Sequence, residues 1–294
     1  MRDVTVAFKT FHRNDRLRVA LSSLVGKGFG EVIVVDDGPA NDPEKDGIYE
    51  KYSSLLPLRV IKLPYDTGLG YGRRIMGEEC RTKYLLLIDD DMTVPNNVHI
   101  LKEVLLHDKK LGAVAGCWIE RGKVRCGGHN LREWKGYLIR YVPPRLRVNY
   151  AGDVPYFYFD FIPNSALFRI EAYRDYEWDD AYTIFREHLD YYWGHKKLGK
   201  WKFAVTPAVF FHHNPGGSRD YSQHRFNWKK YLSSERYFLQ KWGLKGIVSE
   251  GTSLATTGPY RGSLWLYIKA KLPLQVKLGL AKMERAVMRI RMYR

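Results

Sequence analysis

Long hydrophobic segments are absent from this chain of 294 residues. No run of about 18 uncharged apolar residues occurs, so we expect no helix that spans a membrane. The first residues, Met1 to Val4, contain no signal-peptide hydrophobic region and lead directly into a predicted strand. We therefore expect a cytoplasmic protein, either free or peripheral on the inner face of the cell membrane.

Cysteine is scarce, since Cys80, Cys117 and Cys126 are the complete set. An odd number of cysteines without close-paired spacing argues against a zinc site and against a disulfide framework. Thiols in a reducing compartment fit this pattern. Internal repeats and low-complexity tracts are also absent, and 45% of the residues are hydrophobic, which is enough for a sizeable core.

Acidic residues are outnumbered, with 32 Asp and Glu against 48 Lys and Arg, which gives a formal net charge of +16. Such an excess favours anionic partners, which are nucleotides, nucleic acid or an acidic membrane surface. The excess is uneven, because Arg261–Arg294 holds nine basic residues and one acid, Glu284, and so half of the net charge.

The central motif is Tyr84–Ile88, an apolar run that leads directly into Asp89, Asp90 and Asp91. A short run rich in Leu and Ile predicts a strand buried on both faces. The carboxylates then lie at the carboxyl end of that strand, where ligands bind in open α/β sheets. Three adjacent negative charges need a positive partner, and a divalent cation is the simplest candidate. The alternative is a solvated acidic turn before Pro95.

Strands and helices alternate along the chain as far as Glu120. Short apolar runs predict the strands, and the segments with helical spacing between them predict the helices. The strands are Val4–Phe8, Glu31–Val35, Leu58–Leu63, Tyr84–Ile88 and Ala113–Ile119, and the helices lie near Leu17–Leu24, Pro43–Tyr52, Arg73–Cys80 and Val98–His107. This alternation predicts an α/β fold with a mainly parallel twisted sheet flanked by helices.

Two loops of this first half have residues suited to a nucleotide. The second strand ends in Asp36 and Asp37, where the following Gly-Pro pair stops it. The segment Asp66–Arg74 alternates three glycines with other residues and then opens a helix with two arginines. Backbone amides in such a loop approach phosphate closely, and Arg73 adds charge-assisted hydrogen bonds.

The alternation stops after Glu120, where the segment 121–147 is predicted to be a hairpin or an excursion. Aromatic and apolar runs predict further strands, and helical spacing returns twice. The strands are Tyr156–Phe161, Asn164–Arg169 and Ala204–Phe211, and the helices are Ala172–Tyr176, Glu187–Lys197 and Phe226–Trp242. The last strand leads directly into His212 and His213, at another strand end.

In this order and at these strand ends, the motifs resemble those of a family 2 glycosyltransferase of the GT-A fold, over about Val4 to Trp242. The resemblance implies a nucleoside-diphosphate sugar as donor, with a UDP-sugar favoured, Mn²⁺ or Mg²⁺ as cofactor, and inversion at the anomeric carbon. We expect a glycan or a lipid-linked molecule as acceptor, and no nucleic acid as a partner.

The resemblance also assigns a donor site. Asp37 would bind the nucleotide base with help from Asp36, and Arg73 would meet the base or the phosphates. The complete donor set is Lys9, Thr10, Asp36, Asp37, Gly68, Arg73, Asp89 and Asp90.

The metal site implied by the resemblance has Asp91 as its direct ligand, with Asp89 at the ribose or in the water shell of the metal. A histidine after the last strand completes the site, and His212 and His213 both fit. The metal would neutralise the charge that develops on the departing nucleoside diphosphate.

Inverting transfer needs a base that takes a proton from the acceptor hydroxyl. The family places an acidic pair at a helix start, and here the chain has Glu187, with Asp190 three residues on. Glu187 is the first candidate and Asp190 the second, and as an alternative both carboxylates only favour the helix N-terminus. The residues expected to flank the acceptor are Trp178, Asp179, Asp180 and His188.

Two domains are predicted, a catalytic domain at residues 1–245 and a helical extension at residues 246–294. Pro273 suits the first turn of a helix with apolar and basic residues on opposite sides. The apolar positions are Val276, Leu280, Met283, Val287 and Ile290, and the basic ones are Lys282, Arg285 and Arg289. A basic amphipathic helix of this kind is typical of an anionic membrane surface, and the alternative is a helix docked on the catalytic domain.

Three other functions fit part of the pattern. A nucleotidyltransferase on a related sheet would need a Gly-rich loop after the first strand, and Lys9–Arg13 contains no glycine. A hydrolase with two carboxylates would leave the predicted nucleotide site without a role. A nucleic-acid-binding protein would need a basic stripe on the fold, and the acidic strand ends argue against one.

Overall fold

The computed structural model describes residues 1–143, 145–225, 227–249, 268 and 271–292. The strands are β1 Val4–Thr10, β2 Glu31–Asp36, β3 Leu58–Lys62, β4 Tyr84–Leu87, β5 Met92–Thr93, β6 Leu111–Glu120, β7 Lys123–Arg125, β8 Asn130–Trp134, β9 Tyr137–Tyr141, β10 Asn149–Ala151, β11 Val154–Phe159, β12 Ala166–Arg169, β13 Lys202–His213 and β14 Gly246–Ser249. The helices are α1 Asn14–Leu24, α2 Pro43–Ser53, α3 Leu69–Glu79, α4 His99–His107, α5 Ile170–Asp175, α6 Glu187–Leu198, α7 Arg219–Arg225, α8 Trp228–Lys241 and α9 Leu274–Met292.

Eleven strands form the central sheet, in which nine follow the order β10-β11-β13-β6-β12-β4-β1-β2-β3, while β5 pairs with β13 and β7 with β6. The pairs β3–β2, β2–β1, β1–β4 and β6–β13 are parallel, and β12 lies antiparallel between β4 and β6. Helices cover both faces. The predicted α/β fold with a mainly parallel central sheet flanked by helices is confirmed.

The strands at the centre of the sheet are buried on both faces, as the apolar runs predict. Side chains alternate between two cores, because successive residues of a strand point to opposite faces. In β1, Val4, Val6 and Phe8 belong to the core under α1, α2 and α4, and Ala7 belongs to the core under α3, α5 and α6. Two covered faces leave the carboxyl edge of the sheet as the place where polar side chains gather.

A second, three-stranded sheet in the order β14-β9-β8 comes from the segment that follows Glu120. The strands β8 and β9 form an antiparallel hairpin, and β14 pairs with β9 in parallel. The predicted boundary at residue 245 therefore falls directly before a strand that completes this sheet.

The helix α9 begins directly after Pro273, as predicted, and packs on this second sheet. Its residues Leu274, Leu278 and Ala281 lie against Tyr137 and Val248. The predicted apolar residues Val276 and Met283 are 45% and 64% exposed. The side chains of Arg285, Val287, Arg289 and Ile290 lie outside the described residues. None of the helices in the described part of the chain is long and apolar enough to cross a membrane.

Candidate active site

A cavity of about 400 Å³ lies at the carboxyl edge of the sheet, where β1, β4 and β13 end. The acidic run after β4, the loop after β1, the start of α3, the start of α6 and the segment around α7 form its walls. Of the predicted site residues, those that line it are Lys9, Thr10, Gly68, Arg73, Asp89, Asp90, Asp91, Glu187, His188 and His213.

Asp36 lies at the end of β2 but is fully engaged by the protein. Lys45 Nζ and the amide of Gly38 donate to its Oδ1 at 3.0 and 2.9 Å, and Tyr49 Oη and Lys62 Nζ donate to its Oδ2 at 2.9 Å each. Burial alone would raise the pKa of Asp36, but these donors, Lys45 foremost, hold it below its usual value. Asp36 does not line the cavity, so its position does not support direct contact with a nucleotide base.

Asp37 is also buried behind the cavity wall and connects two of its elements. It forms an ion pair with Lys9 on β1 and accepts a hydrogen bond at 3.1 Å from the amide of Gly68. Gly68 needs to be glycine, because its φ is +110° and a Cβ would lie 2.4 Å from the backbone of Thr183. Asp37 therefore fixes Lys9 and the Gly-rich loop relative to each other.

The acidic run has an internal counter-ion that the sequence did not indicate. Arg13, in the loop after β1, pairs with Asp90 and donates to Asp91 Oδ2 at 2.6 Å. The ring of Tyr221 covers the guanidinium at 4.2 Å. Burial raises the pKa of Asp90 to about 6, with Arg13 acting to lower it. The expectation of a positive partner for these carboxylates is met by the chain itself.

Asp89 and Asp91 point to different partners. Asn164 donates from Nδ2 to both oxygens of Asp89 at 2.9 Å, and Arg73 Nη2 lies 3.5 Å from Asp89 Oδ1. Asp91 Oδ1 is buried and has no hydrogen-bond partner, and His213 Nε2 lies 3.5 Å from it. The unpartnered Asp91 Oδ1 and His213 Nε2 thus lie next to each other, whereas both oxygens of Asp89 accept hydrogen bonds from Asn164.

The structure separates the two histidines of β13. His213 lines the cavity, and its Nδ1 donates to Glu120 Oε2 at 2.7 Å. Adjacent residues of a strand point to opposite faces of the sheet, so His212 points away from the side of His213. His212 is exposed, and it pairs with Thr93 of β5. Burial lowers the pKa of His213, but Asp91 and Glu120 more than offset it and raise that pKa above its ordinary value.

A divalent cation fits the residues present. Asp91 Oδ1 and His213 Nε2 could serve as an oxygen and a nitrogen ligand on one side of the site, and hard cations accept further oxygens from phosphate and water. No group of three His, Cys, Asp or Glu suited to a metal occurs among the residues that the structure describes. The protein would therefore supply a minority of the ligands, as in sites completed by a substrate diphosphate.

Glu187 stands at the start of α6 with one free oxygen. Its Oε1 accepts a hydrogen bond from Arg73 Nη1 at 3.0 Å, and its buried Oε2 has no partner. The two residues before it, Phe185 and Arg186, adopt φ values of +66° and +70°. This left-handed turn is costly for side-chain-bearing residues and places the carboxylate at the cavity wall.

Asp190, the second candidate for the base, lies outside the cavity. Its carboxylate accepts hydrogen bonds from Tyr176 and Tyr182 at 3.2 Å each, from Lys241 Nζ at 2.8 Å and from Trp242 Nε1 at 2.7 Å. Both oxygens are used; the two tyrosines lie between α5 and α6, and Lys241 and Trp242 lie at the C-terminal end of α8. The position supports a structural role in joining α6 to α8.

Three of the four residues expected at the acceptor also lie away from the cavity. Trp178 is 2% exposed and stacks on Tyr191 at 4.2 Å with an angle of 9° between the rings. Asp179 accepts from Lys241 and Tyr237, and Asp180 forms an ion pair with Arg74. The side chains of Trp178, Asp179 and Asp180 therefore take part in packing within the protein. Of the four residues expected at the acceptor, His188 alone borders the cavity.

The model of the family described as Glycosyl transferase family 2 matches residues 5–177, which is more than half of the chain. The chain belongs to glycosyl transferase family 2. It is also 29% identical over 140 residues to beta-1,4 N-acetylgalactosaminyltransferase 1 of Rattus norvegicus, a match that covers 47% of this chain and 22% of that protein.

Solved structures show the same fold. The crystal structure of GalNAc-T7 with UDP, GalNAc and Mn²⁺ has a TM-score of 0.59 at 16% identity, over 82% of this chain and 48% of that chain. The structure of S. aureus TarS 1-349 with UDP-GlcNAc has a TM-score of 0.52 at 15% identity, over 81% of this chain and 66% of that chain. The family 2 chain has a GT-A fold. It spans about half of the GalNAc-T7 chain and 22% of the rat protein.

The sequence of this family 2 chain did not indicate Arg13 and Asn164, which line the cavity, or Glu120, which binds the cavity residue His213. Each forms a hydrogen bond with a predicted site residue that is distant in the sequence. The separation is 78 positions from Arg13 to Asp91 and 93 from Glu120 to His213. Pairing of β13 with β6 brings Glu120 to His213, and only the sheet order reveals it.

Proposed function

We propose that the protein is a metal-dependent, inverting glycosyltransferase that moves a sugar from a UDP-sugar to an acceptor hydroxyl. The decisive observation is that Asp91 and His213 border the same cavity as Glu187, whose second oxygen is free. Arg73 links Glu187 to the acidic run, at 3.0 Å from Glu187 and 3.5 Å from Asp89. A cation site and a carboxylate base on one cavity are what an inverting transfer requires.

In this proposal Asp91 and His213 hold Mn²⁺ or Mg²⁺, with His212 excluded by its exposed position. The cation supplies positive charge against the diphosphate of the leaving group. The GalNAc-T7 structure holds UDP, GalNAc and Mn²⁺, which supports a divalent cation as the cofactor. Asp89, held by Asn164, would stay in the outer environment of the cation or contact the ribose.

Glu187 would be the base that takes the proton from the acceptor hydroxyl. Its Oε2 is available, while its Oε1 accepts a hydrogen bond from Arg73 that orients the carboxylate. Asp190 would not be the base, because its oxygens accept hydrogen bonds from Lys241 and Trp242.

The donor would lie along Lys9, Thr10, the Gly68 loop and Arg73, which line the cavity. Asp37 would act on donor binding through Lys9 and Gly68, with Asp36 as structural support for the end of β2. His188 would border the acceptor.

The acceptor would be a glycan or a lipid-linked molecule. The exposed apolar residues Val276 and Met283 on α9, together with the basic residues of that segment, support contact with an anionic membrane surface. Residues 1–245 would form the catalytic domain, and residues 246–294 an extension that β14 joins to β9.

The experiment is a thermal-shift and hydrolysis screen of UDP-GalNAc, UDP-GlcNAc, UDP-galactose and UDP-glucose, with Mn²⁺, Mg²⁺ or EDTA. A bound donor stabilises the fold by mass action. Asp91→Asn should remain folded, with a lower melting temperature because Arg13 loses a charged partner, and should lose metal-dependent turnover. The sugar product of the wild-type protein should have the inverted anomeric configuration by NMR. Full activity in EDTA, or a retained configuration, would contradict the proposal.

A further inference from the structure

The tight hairpin of β6 and β7 places Cys117 and Cys126 opposite each other. Its loop has two residues, 121 and 122, and both have positive φ, as in a type I′ turn. The strands pair in register as far as Trp118 and Arg125, so the next opposed pair along the hairpin is that of the two cysteines.

The register of the hairpin also sets the distance between the two backbones. Hydrogen-bonded and non-hydrogen-bonded pairs alternate along an antiparallel ladder, and the pair that closes a two-residue loop, here Glu120 with Lys123, is hydrogen-bonded. Three positions further on, Cys117 and Cys126 form a non-hydrogen-bonded pair, in which the Cα atoms lie about 4.5 Å apart. A disulfide spans Cα separations of about 4.4 to 6.8 Å, so the backbone already meets this requirement.

The two thiols contact each other and differ in exposure. Both are free, and Cys117 is 3% exposed while Cys126 is partly exposed. The thiol of Cys117 donates a hydrogen bond to the sulfur of Cys126, and the amide of Gly128 donates another. The hydrogen bond from Cys117 lowers the pKa of Cys126 to about 7 against the effect of burial, and it raises the pKa of Cys117. Since the thiolate is the nucleophile, Cys126 is the reactive partner and Cys117 lies in position to follow it.

The same hairpin is connected to the candidate cation site. Arg125, the neighbour of Cys126, has its Nη2 at 3.2 Å from Glu120 Oε1. The other oxygen of Glu120 accepts the hydrogen bond from His213 Nδ1, and His213 Nε2 lies 3.5 Å from Asp91 Oδ1. A bond between the two cysteines would therefore fix the hairpin that carries the carboxylate next to His213.

We propose that Cys117 and Cys126 form a reversible disulfide, a redox modification site that fixes the β6–β7 hairpin, with a small-molecule disulfide as the oxidant. The site goes beyond the proposed function and does not depend on it. The sequence shows three isolated cysteines, and only the pairing of β6 with β7 brings two of them together.

The reaction is two successive thiol–disulfide exchanges. The thiolate of Cys126 attacks one sulfur of the oxidant, whose S–S bond breaks and whose other half leaves as a thiolate. The sulfur of Cys117 then attacks Cys126 Sγ in the mixed disulfide, its proton passes through solvent to the first released thiolate, and the second half of the oxidant leaves as a thiolate. The two cysteines lose two electrons in total, and one oxidant disulfide becomes two thiol groups.

Peptide mapping after incubation with glutathione disulfide tests the site. Trypsin cleaves after Arg121, Lys123 and Arg125, so a disulfide between the two cysteines appears as a cross-linked pair of peptides in the mass spectrum. We expect this pair to form, to disappear with dithiothreitol, and to leave Cys80 open to alkylation after unfolding. Cys80 is the internal control, because its buried thiol contacts Thr82.

The melting temperature gives a second readout. A disulfide restricts the unfolded chain, so the oxidised protein should melt roughly 5 to 10 °C above the reduced protein. Cys126→Ser and Cys117→Ser should each lose both the cross-linked peptides and this shift, whereas Cys80→Ser should keep both. Should Cys117→Ser fail to fold, the partly exposed Cys126→Ser decides.

Three results would overturn the site. They are three free thiols after incubation with excess glutathione disulfide, a stable mixed disulfide at Cys126 without closure to Cys117, and a cross-link that includes Cys80 or joins two chains. Metal-dependent hydrolysis of UDP-sugars is measured separately on the reduced protein, so a failed disulfide leaves the proposed function standing, and a failed hydrolysis leaves the disulfide standing.

Discussion

The assignment of separate roles to Glu187 and Asp190 gives a prediction that one pair of variants can decide. Asp190→Asn removes the charge that faces Lys241 and places an amide group before four donors. Loss of a buried ion pair costs about 3 to 5 kcal/mol. Here Lys241 keeps Asp179 at 2.7 Å and its side chain is 26% exposed, so we expect a smaller loss, about 2 to 4 kcal/mol.

A loss of that size should lower the melting temperature by roughly 5 to 10 °C. Turnover per folded molecule, measured well below the new melting temperature, should stay close to wild type, because Asp190 does not border the cavity. Glu187→Gln should show the reverse, with turnover reduced by about 10² to 10⁴ and donor affinity nearly unchanged. Arg73 retains Asp89 in that variant, so its fold should be kept.

The assay is steady-state transfer or donor hydrolysis at 20 °C with both variants checked by calorimetry. The reasoning is refuted if Asp190→Asn melts like the wild type but is inactive, while Glu187→Gln remains active. If both carboxylate variants are active and His188→Ala is inactive, the proton acceptor at this wall is the imidazole.

Three further predictions concern groups around the cavity and the extension. Glu120→Ala should weaken Mn²⁺ binding about 10- to 100-fold in titration calorimetry, because His213 loses the partner that orients its ring. Glu133→Ala, an exposed control, should leave the Mn²⁺ affinity unchanged. Equal Mn²⁺ affinities of Glu120→Ala and the wild type would contradict the orienting role of Glu120. Asp37→Ala should raise the Kd for UDP more than it lowers turnover at saturation, and an unchanged Kd would show that Lys9 and the Gly68 loop hold their places without it. Deletion of residues 273–294 should release the protein from anionic liposomes while donor hydrolysis persists, and sedimentation of both forms with the liposomes would argue for a docked helix only.

Eight of the eleven strands of the central sheet could be predicted because each of these has its own local signal, whereas the short strands β5, β7 and β10 were not predicted. Apolar runs such as Tyr84–Ile88 end in polar residues at the sheet edge, and the parallel arrangement then brings Asp91 and Glu187 to one cavity. Side-chain assignments within a strand were harder. The choice between His212 and His213 depends on the register of β13 against β5 and β6, which the sequence does not contain.

Roles that depend on distant elements could not be predicted. Asp190 has the right residue type beside Glu187, but the approach of α8 supplies Lys241 and Trp242 to its oxygens. Trp178 has the ring that suits a sugar, but Tyr191 of the same core covers its face. In both cases tertiary packing decides whether a plausible side chain meets the ligand or the core.

The contact of Arg13 with Asp90 and Asp91 has a consequence for how the protein is loaded. This guanidinium offsets part of the charge of the acidic edge from within the chain, so we expect the sheet to fold without a cation, in contrast to domains that are unfolded without their metal. Under the proposed function, a divalent cation and a donor diphosphate have nearly cancelling charges. They can therefore enter as one nearly neutral unit, whereas the nucleoside diphosphate that leaves with the cation carries the additional negative charge released by transfer.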